Sequence, residues 1–246
     1  MTSINGSVAF VSGANRGIGR AFVEELLAAG AKKVYAGARN IHSLDDLADY
    51  GAGKVVPVEV DVTDTDTIEA AAAASKDVTI LINNAGIAGF QGLISATDGN
   101  SARGEMETNF FGTLNMVRSF APALAENGGG AITNISSIAG YVNFPALGSY
   151  SASKAALHSL TQGIRSELAK QGTLVVGVYP GPVDTDLAAN VPMDKISPNE
   201  VAKTVLNAIE DGEEDVFPDP VSTQMHEALL VDPKAVERQA GEMMPA

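Results

Sequence analysis

The stretch Val8-Ala-Phe-Val-Ser12 is apolar almost throughout, runs into Gly13-Ala-Asn-Arg-Gly17-Ile-Gly19, and passes directly into a helical pattern over 17–29. Few folds accommodate that order. A short apolar run without alternation reads as a strand covered on both faces, and such strands belong to parallel sheets joined through helices. The motif then recurs. β-Branched runs lie near 33–37, 55–60, 78–82, 130–135 and 173–179, with a weaker seventh near 215–217. Helical patterns separate them at 64–75, 103–126 and 149–170, and Gly30 and Gly172 stand where helices should stop. The alternation predicts one α/β domain over 1–246, a doubly wound parallel sheet of about seven strands with helices on both faces. From 186 to 246 the chain changes character. Pro192, Pro198, Pro218, Pro220 and Pro233 break it into short helices expected over the sheet edge.

A formal net charge of −14 argues against nucleic acid or an anionic membrane as a partner. The chain has no cysteine, so disulfides and thiolate metal sites are excluded. His42, His158 and His226 lack ligand spacing, and no metal is predicted. No apolar run approaches the roughly 18 residues that span a bilayer, and the first residues lack a signal-peptide pattern. A cytoplasmic protein is expected. Met243-Met244 reads as a solvated tail or a packing feature and not as a site.

The glycine loop has GxxxGxG spacing, distinct from GxGxxG but meeting the same demand. Glycines let the backbone approach a pyrophosphate, and the following helix offers unpaired N–H groups and a favourable dipole. The end of the second strand, Ala36-Gly-Ala38-Arg39-Asn40, carries no acid to bond a ribose 2′-hydroxyl. It carries Arg39 instead, and Arg16 lies in the glycine loop. Planar guanidinium groups suit a 2′-phosphate, so NADP(H) is expected over NAD.

Tyr150 and Lys154, in Ser149-Tyr-Ser-Ala-Ser-Lys154, share one helix face. A phenol ordinarily titrates near 10, and an ammonium held beside it should bring that value towards neutrality. Ser137, just past the strand Ala131–Ile135, could hold a carbonyl oxygen beside the tyrosine.

In sequence order, Gly13–Gly19, Asp61-Val62, Asn83-Asn-Ala-Gly86, Asn109, Ser137, Tyr150, Lys154 and Pro180-Gly181 resemble the landmarks of the short-chain dehydrogenase/reductase family over about the first 190 residues. The resemblance implies a Rossmann-type fold with strand order 3-2-1-4-5-6-7. It also implies a catalytic set of Asn109, Ser137, Tyr150 and Lys154. In that set Tyr150 exchanges the proton, Lys154 tunes it and binds the nicotinamide ribose, Ser137 orients the substrate oxygen, and Asn109 holds a relay water. For the cofactor it implies Gly13, Asn15, Arg16, Gly17, Ile18, Gly19, Arg39, Asp61, Val62, Asn83, Ala85 and Gly86, together with Tyr150, Lys154, Pro180, Gly181, Val183 and Thr185. Relatives imply a homodimer or homotetramer. The segment 186–196 is short for the family's usual lid.

Candidate pocket residues are Ile87, Phe90, Leu93 and Ile94, then Ile138, Tyr141, Val142, Phe144 and Leu147, then Val183, Leu187, Val191 and Met193. They include no lysine or arginine, which points to an uncharged, moderately hydrophobic ketone or aldehyde. The leading expectation is an NADPH-dependent carbonyl reductase. An NAD-dependent alcohol dehydrogenase and a non-catalytic NADP-binding regulator stay open.

Overall fold

A computed structural model describes residues 2–97, 99–189, 191 and 193–244, so Pro192, among the expected breaks, lies outside the described residues. The strands are β1 (Val8–Ser12), β2 (Lys33–Ala38), β3 (Val55–Glu59), β4 (Ile80–Asn83), β5 (Ala131–Ile135), β6 (Leu174–Val178) and β7 (Asp215–Val216). They form one parallel sheet in the order β3-β2-β1-β4-β5-β6-β7. The expected strand order and Rossmann-type architecture are both present.

Side-chain alternation explains the two-sided cover. In β1, Ala9 and Val11 enter one core while Val8 and Phe10 enter the other. The first core is closed by α1 (Gly17–Ala28), α2 (Asp45–Tyr50) and α7 (Pro198–Asp211), through Phe22, Leu26, Leu47, Val205 and Ile209. The second is closed by α3 (Thr65–Ala74), α5 (Thr113–Glu126) and α6 (Gly148–Leu168), through Ile68, Phe120, Leu124 and Ile164. Because both faces are apolar, polar function is confined to the strand ends. Strand order reverses between β1 and β4, and a crevice at such a switch point is where α/β sheets bind ligands.

Two regions differ from the sequence reading. The pattern at 103–126 is not one regular helix: α4 (Asn100–Glu105) leads into a π-helical segment, Met106–Gly112, before α5. Wide turns of this kind are often found at functional sites. The terminal helices α8 (Pro220–Val231) and α9 (Pro233–Ala240) lie over the cavity at the strand ends instead of covering only the sheet edge. Pro198, Pro220 and Pro233 each open a helix behind a capping Ser197, Asp219 or Asp232, where a missing N–H costs nothing.

No helix among the described residues is long and apolar enough to cross a membrane. None of their His, Asp and Glu side chains form a group of three or more able to hold a metal ion.

Candidate active site

A cavity of about 1370 Å³ runs along the carboxyl ends of the strands. At one end lie Gly13, Asn15, Arg16, Gly17, Ile18, Arg39, Asp61, Val62, Ala85 and Gly86; at the centre lie Ser137, Tyr150, Lys154, Pro180, Gly181, Val183 and Thr185. One continuous surface thus gathers residues from seven separate stretches of sequence.

The glycine loop is shaped by two constraints. Gly13 has φ +64°, left-handed backbone, and a Cβ there would lie 3.0 Å from the Ala85 Cα. A Cβ on Gly19 would collide with the Gly13 carbonyl oxygen. Gly19 therefore closes the loop on itself and does not line the cavity. Arg16, at the N-cap of α1, has extended backbone and makes no side-chain cap, so the first amides of the helix have no internal acceptor. Asn84 braces the loop from β4, its amide donating to the carbonyls of Ser12 (3.0 Å) and Gly13 (3.1 Å).

Asn83 is not in the cavity. It stands opposite Asn134 in the sheet register, and its amide donates to Asn134 Oδ1 at 2.9 Å inside the structure. Its neighbour Asn84, beyond the strand end, lines the cavity in its place. The Asp61 carboxylate accepts from Thr63 N–H (2.9 Å) and Oγ1 (2.7 Å), so it orders the turn after β3 while facing the cavity. Arg39 is exposed and makes no ion pair among the described residues, whereas Arg16 is paired with Asp186 at 3.3 Å across the mouth. Arg20, Asn40 and Ser43 border the same corner, although in the sequence each reads as ordinary helix or turn. Arg20 is held by Glu24 and Asp46.

At the centre, Tyr150 and Lys154 do share one face of α6, with the Lys154 Nζ 5.6 Å from the Tyr150 ring centre. The electrostatics depart from expectation. Burial dominates and pushes the Tyr150 phenol up to about 12; hydrogen bonding with Ser137 pulls it back, and the charge of Glu105 raises it further. The Lys154 ammonium donates to the Ile135 carbonyl at 2.8 Å, and burial lowers it to about 8. Ser137 Oγ accepts the Ala139 amide at 3.1 Å. Asn109 is fully buried in the π-helical segment, behind the cavity wall and not on it. Its Oδ1 accepts Ile87 N–H, and its Nδ2 donates to Ile87 O and Ser153 Oγ, all at 2.9 Å.

Beyond the centre the lining turns apolar. Ile87, Phe90, Ile138, Phe144, Leu147, Val183, Leu187, Val191 and Met193 are there as expected. Leu93 and Ile94 are not; they are 60% and 98% exposed. Tyr141 is drawn away into an aromatic cluster with His158, Tyr179, Phe217 and His226, and Val142 packs under Phe144. Met225, Val236, Ala240 and Met243 complete the wall, so Met243 lines the cavity and is not only a solvated tail or packing feature.

Among known proteins, the short chain dehydrogenase family matches this chain over residues 7–196. An uncharacterized oxidoreductase of Staphylococcus aureus strain MW2 is 36% identical over 217 residues, covering 85% of this chain and 93% of that protein. A short chain dehydrogenase from Burkholderia cenocepacia J2315, solved in complex with NADP, is 44% identical with a TM-score of 0.92, covering 97% of this chain and 98% of that one. A short-chain dehydrogenase/reductase from Burkholderia phymatum, solved in complex with NAD, is 25% identical with a TM-score of 0.83, covering 94% and 96%.

Proposed function

The chain belongs to the short-chain dehydrogenase family of oxidoreductases, and on that premise we propose that it reduces an uncharged, moderately hydrophobic ketone or aldehyde with NADPH, Tyr150 supplying the proton. The observation that carries this reading is one cavity holding the Tyr150 phenol, a serine hydroxyl and a lysine beside a glycine-walled helix N-terminus.

The residues fit the cofactor. The uncapped amides of α1 and the Gly13 turn suit a pyrophosphate. Arg39, exposed just past the end of β2, suits a 2′-phosphate, with Arg16 able to exchange Asp186 for the same anion. Asp61 and Val62 would border the adenine, and Ala85 and Gly86 its ribose. Pro180, Gly181, Val183 and Thr185 would border the nicotinamide. The B. cenocepacia protein in complex with NADP agrees with this preference. When bound, the nicotinamide supplies a hydride to the carbonyl carbon.

The chain's own work is positional and electrostatic. Ser137 would hold the carbonyl oxygen against Tyr150, stabilising the charge that develops there. A phenol held near 12 stays protonated at neutral pH, which suits a donor in reduction better than a base in oxidation. Lys154, anchored on Ile135, would meet the ribose hydroxyls and help restore the proton. Asn109 holds the loop at Ile87 from behind, and its carbonyl faces the same space as the Lys154 amine across Gly86.

The test is loss of NADPH absorbance against graded aldehydes, ketones and diketones, with Tyr150→Phe as control. The variant should lose at least about a hundredfold in turnover and keep NADPH affinity. Tight NADPH binding without turnover of any carbonyl by the wild type would instead support the regulator. Unimpaired turnover by Tyr150→Phe would remove the tyrosine's role.

A further inference from the structure

Resting on the reductase reading, we propose that α8, α9 and Met243 form a fixed roof over a subsite for the apolar body of an elongated, uncharged carbonyl substrate, and that Ala240 limits the length of that body.

The sequence of α9, Pro233-Lys-Ala-Val-Glu-Arg-Gln-Ala240, puts Val236 and Ala240 on one face, four residues apart. Both are buried, at 6% and 4% exposure, while Lys234, Glu237 and Arg238 point to solvent. This apolar stripe packs on Ala139, Val142 and Phe144, in the loop joining Ser137 to Tyr150. The roof therefore rests on the chain that carries the proposed chemistry.

Two hydrogen-bonded anchors make it a wall and not a flap. Asp219, 6% exposed at the N-cap of α8, accepts Gly181 N–H at 2.7 Å, Ser222 Oγ–H at 2.8 Å and Ser222 N–H at 2.9 Å. A Cβ on Gly181 would lie 2.7 Å from Asp219 Oδ1, so this glycine permits the close approach. At the other end, the Met243 carbonyl accepts the Ala146 amide at 2.9 Å. One anchor fixes the roof to the turn after β6, the other to the 3-10 turn Pro145–Leu147 that precedes α6.

Charge defines the ligand class. The cationic residues lining the cavity are Arg16, Arg20 and Arg39 at the glycine end and Lys154 beneath Tyr150. Under the roof the lining has no cation, and Gln239 is the one polar side chain that α9 contributes. A carboxylate or phosphate placed there would lose its water without gaining a counterion. An alkyl or aryl body would gain with each methylene buried, about fourfold in kcat/KM.

The experiment uses the full chain, NADPH and methyl ketones from 2-butanone to 2-undecanone. In the wild type kcat/KM should climb about fourfold per methylene before it levels. Ala240→Phe should cut the ratio of the 2-undecanone to the 2-butanone value at least tenfold, with NADPH affinity held within twofold. A flat length series, or a variant that leaves the ratio intact, overturns the proposal. If Ala240→Phe misfolds by circular dichroism, Val236→Ala replaces it. That variant enlarges the subsite and should move the plateau to longer chains; an unmoved plateau is equally fatal. Should the wild type reduce none of these ketones, the reductase reading fails and the roof is judged by calorimetry alone. Binding of 2-undecanone that Ala240→Phe abolishes would support the subsite, and binding indifferent to the substitution would refute it.

Discussion

Glu105 accepts the Gly89 amide at 2.6 Å through Oε1, while its Oε2 is buried without a hydrogen-bond partner among the described residues. Four residues on, Asn109 holds Ile87, so one helical face clamps the loop that lines the cavity at two points. The clamp also carries charge, and that charge raises the Tyr150 phenol. Glu105→Gln keeps an acceptor for Gly89 and removes the charge. A negative neighbour disfavours the phenolate, so its loss should lower the tyrosine's pKa. In the direction of alcohol oxidation, where the base form works, the rising limb of the pH profile should move to lower pH by about half a unit or more. A limb that stays in place would show that Glu105 only braces the loop.

Lys154 gives a stability prediction whose sign can be worked out. Its ammonium is lowered from 10.5 to about 8 by burial, whereas the unfolded chain keeps the proton up to about its ordinary value. Between pH 8 and 10.5 the unfolded state therefore binds more protons, and this group's contribution to stability rises with pH across that window. Below pH 8 the full penalty of a buried charge applies. Lys154→Met removes the penalty at every pH and adds a constant cost from the donor lost at Ile135. The variant's melting temperature relative to wild type should be highest at pH 6–7 and fall steadily towards pH 10. Tyr150, raised from 10 to about 12, works in the opposite sense only at higher pH. A difference constant from pH 6 to pH 10 would contradict a buried, strained ammonium.

The strands, the glycine loop and the Tyr150–Lys154 pair were legible because each follows from a local period: apolar runs, a tight turn, and i,i+4 on a helix. What escaped depended on distant contacts or on sub-turn detail. Asn83 and Asn84 are chemically identical neighbours, and only the register against Asn134 decides which is locked in the sheet. The π-helical turn at Met106–Gly112 leaves the apolar pattern nearly unchanged, so it reads as ordinary helix. Pro220 and Pro233 announce the helix starts of α8 and α9, but nothing local tells where those helices fold back. The direction of the Tyr150 shift was lost for the same reason. Burial sets it, and part of that burial comes from the apolar cluster that α9 builds around Phe144 and Tyr150.

Cofactor choice should turn on Arg39, which has no ion pair to give up among the described residues. Charge-assisted contacts to phosphate are worth about 1.5–3 kcal/mol. Arg39→Asp should therefore weaken NADPH at least tenfold and improve NADH, the acid now accepting from a 2′-hydroxyl. Arg16→Ala should cost less, because its guanidinium already spends its charge on Asp186 at an exposed site. Fluorescence titration of both cofactors against both variants decides the matter. NADPH affinity that changes less than twofold in Arg39→Asp would remove the structural case for NADP.

Asp219 joins two elements that sequence separates, the Gly181 turn after β6 and the first turn of α8. Alanine there leaves the Gly181 and Ser222 amides without their acceptor, in a site 6% exposed, while the Ser222 hydroxyl keeps the backbone carbonyl of residue 219 at 3.0 Å. Losing an N-cap costs about 0.5–2 kcal/mol, and a buried donor left unmade adds about 1–3. Asp219→Ala should thus lower unfolding free energy by roughly 2 kcal/mol or more in urea. Asparagine keeps one carboxyl-type oxygen and should fall between alanine and wild type. Since Gly181 lines the cavity, the alanine variant should also lose turnover beyond what its unfolded fraction explains. Activity that tracks the folded fraction alone would mean that Asp219 caps a helix and does not position the turn.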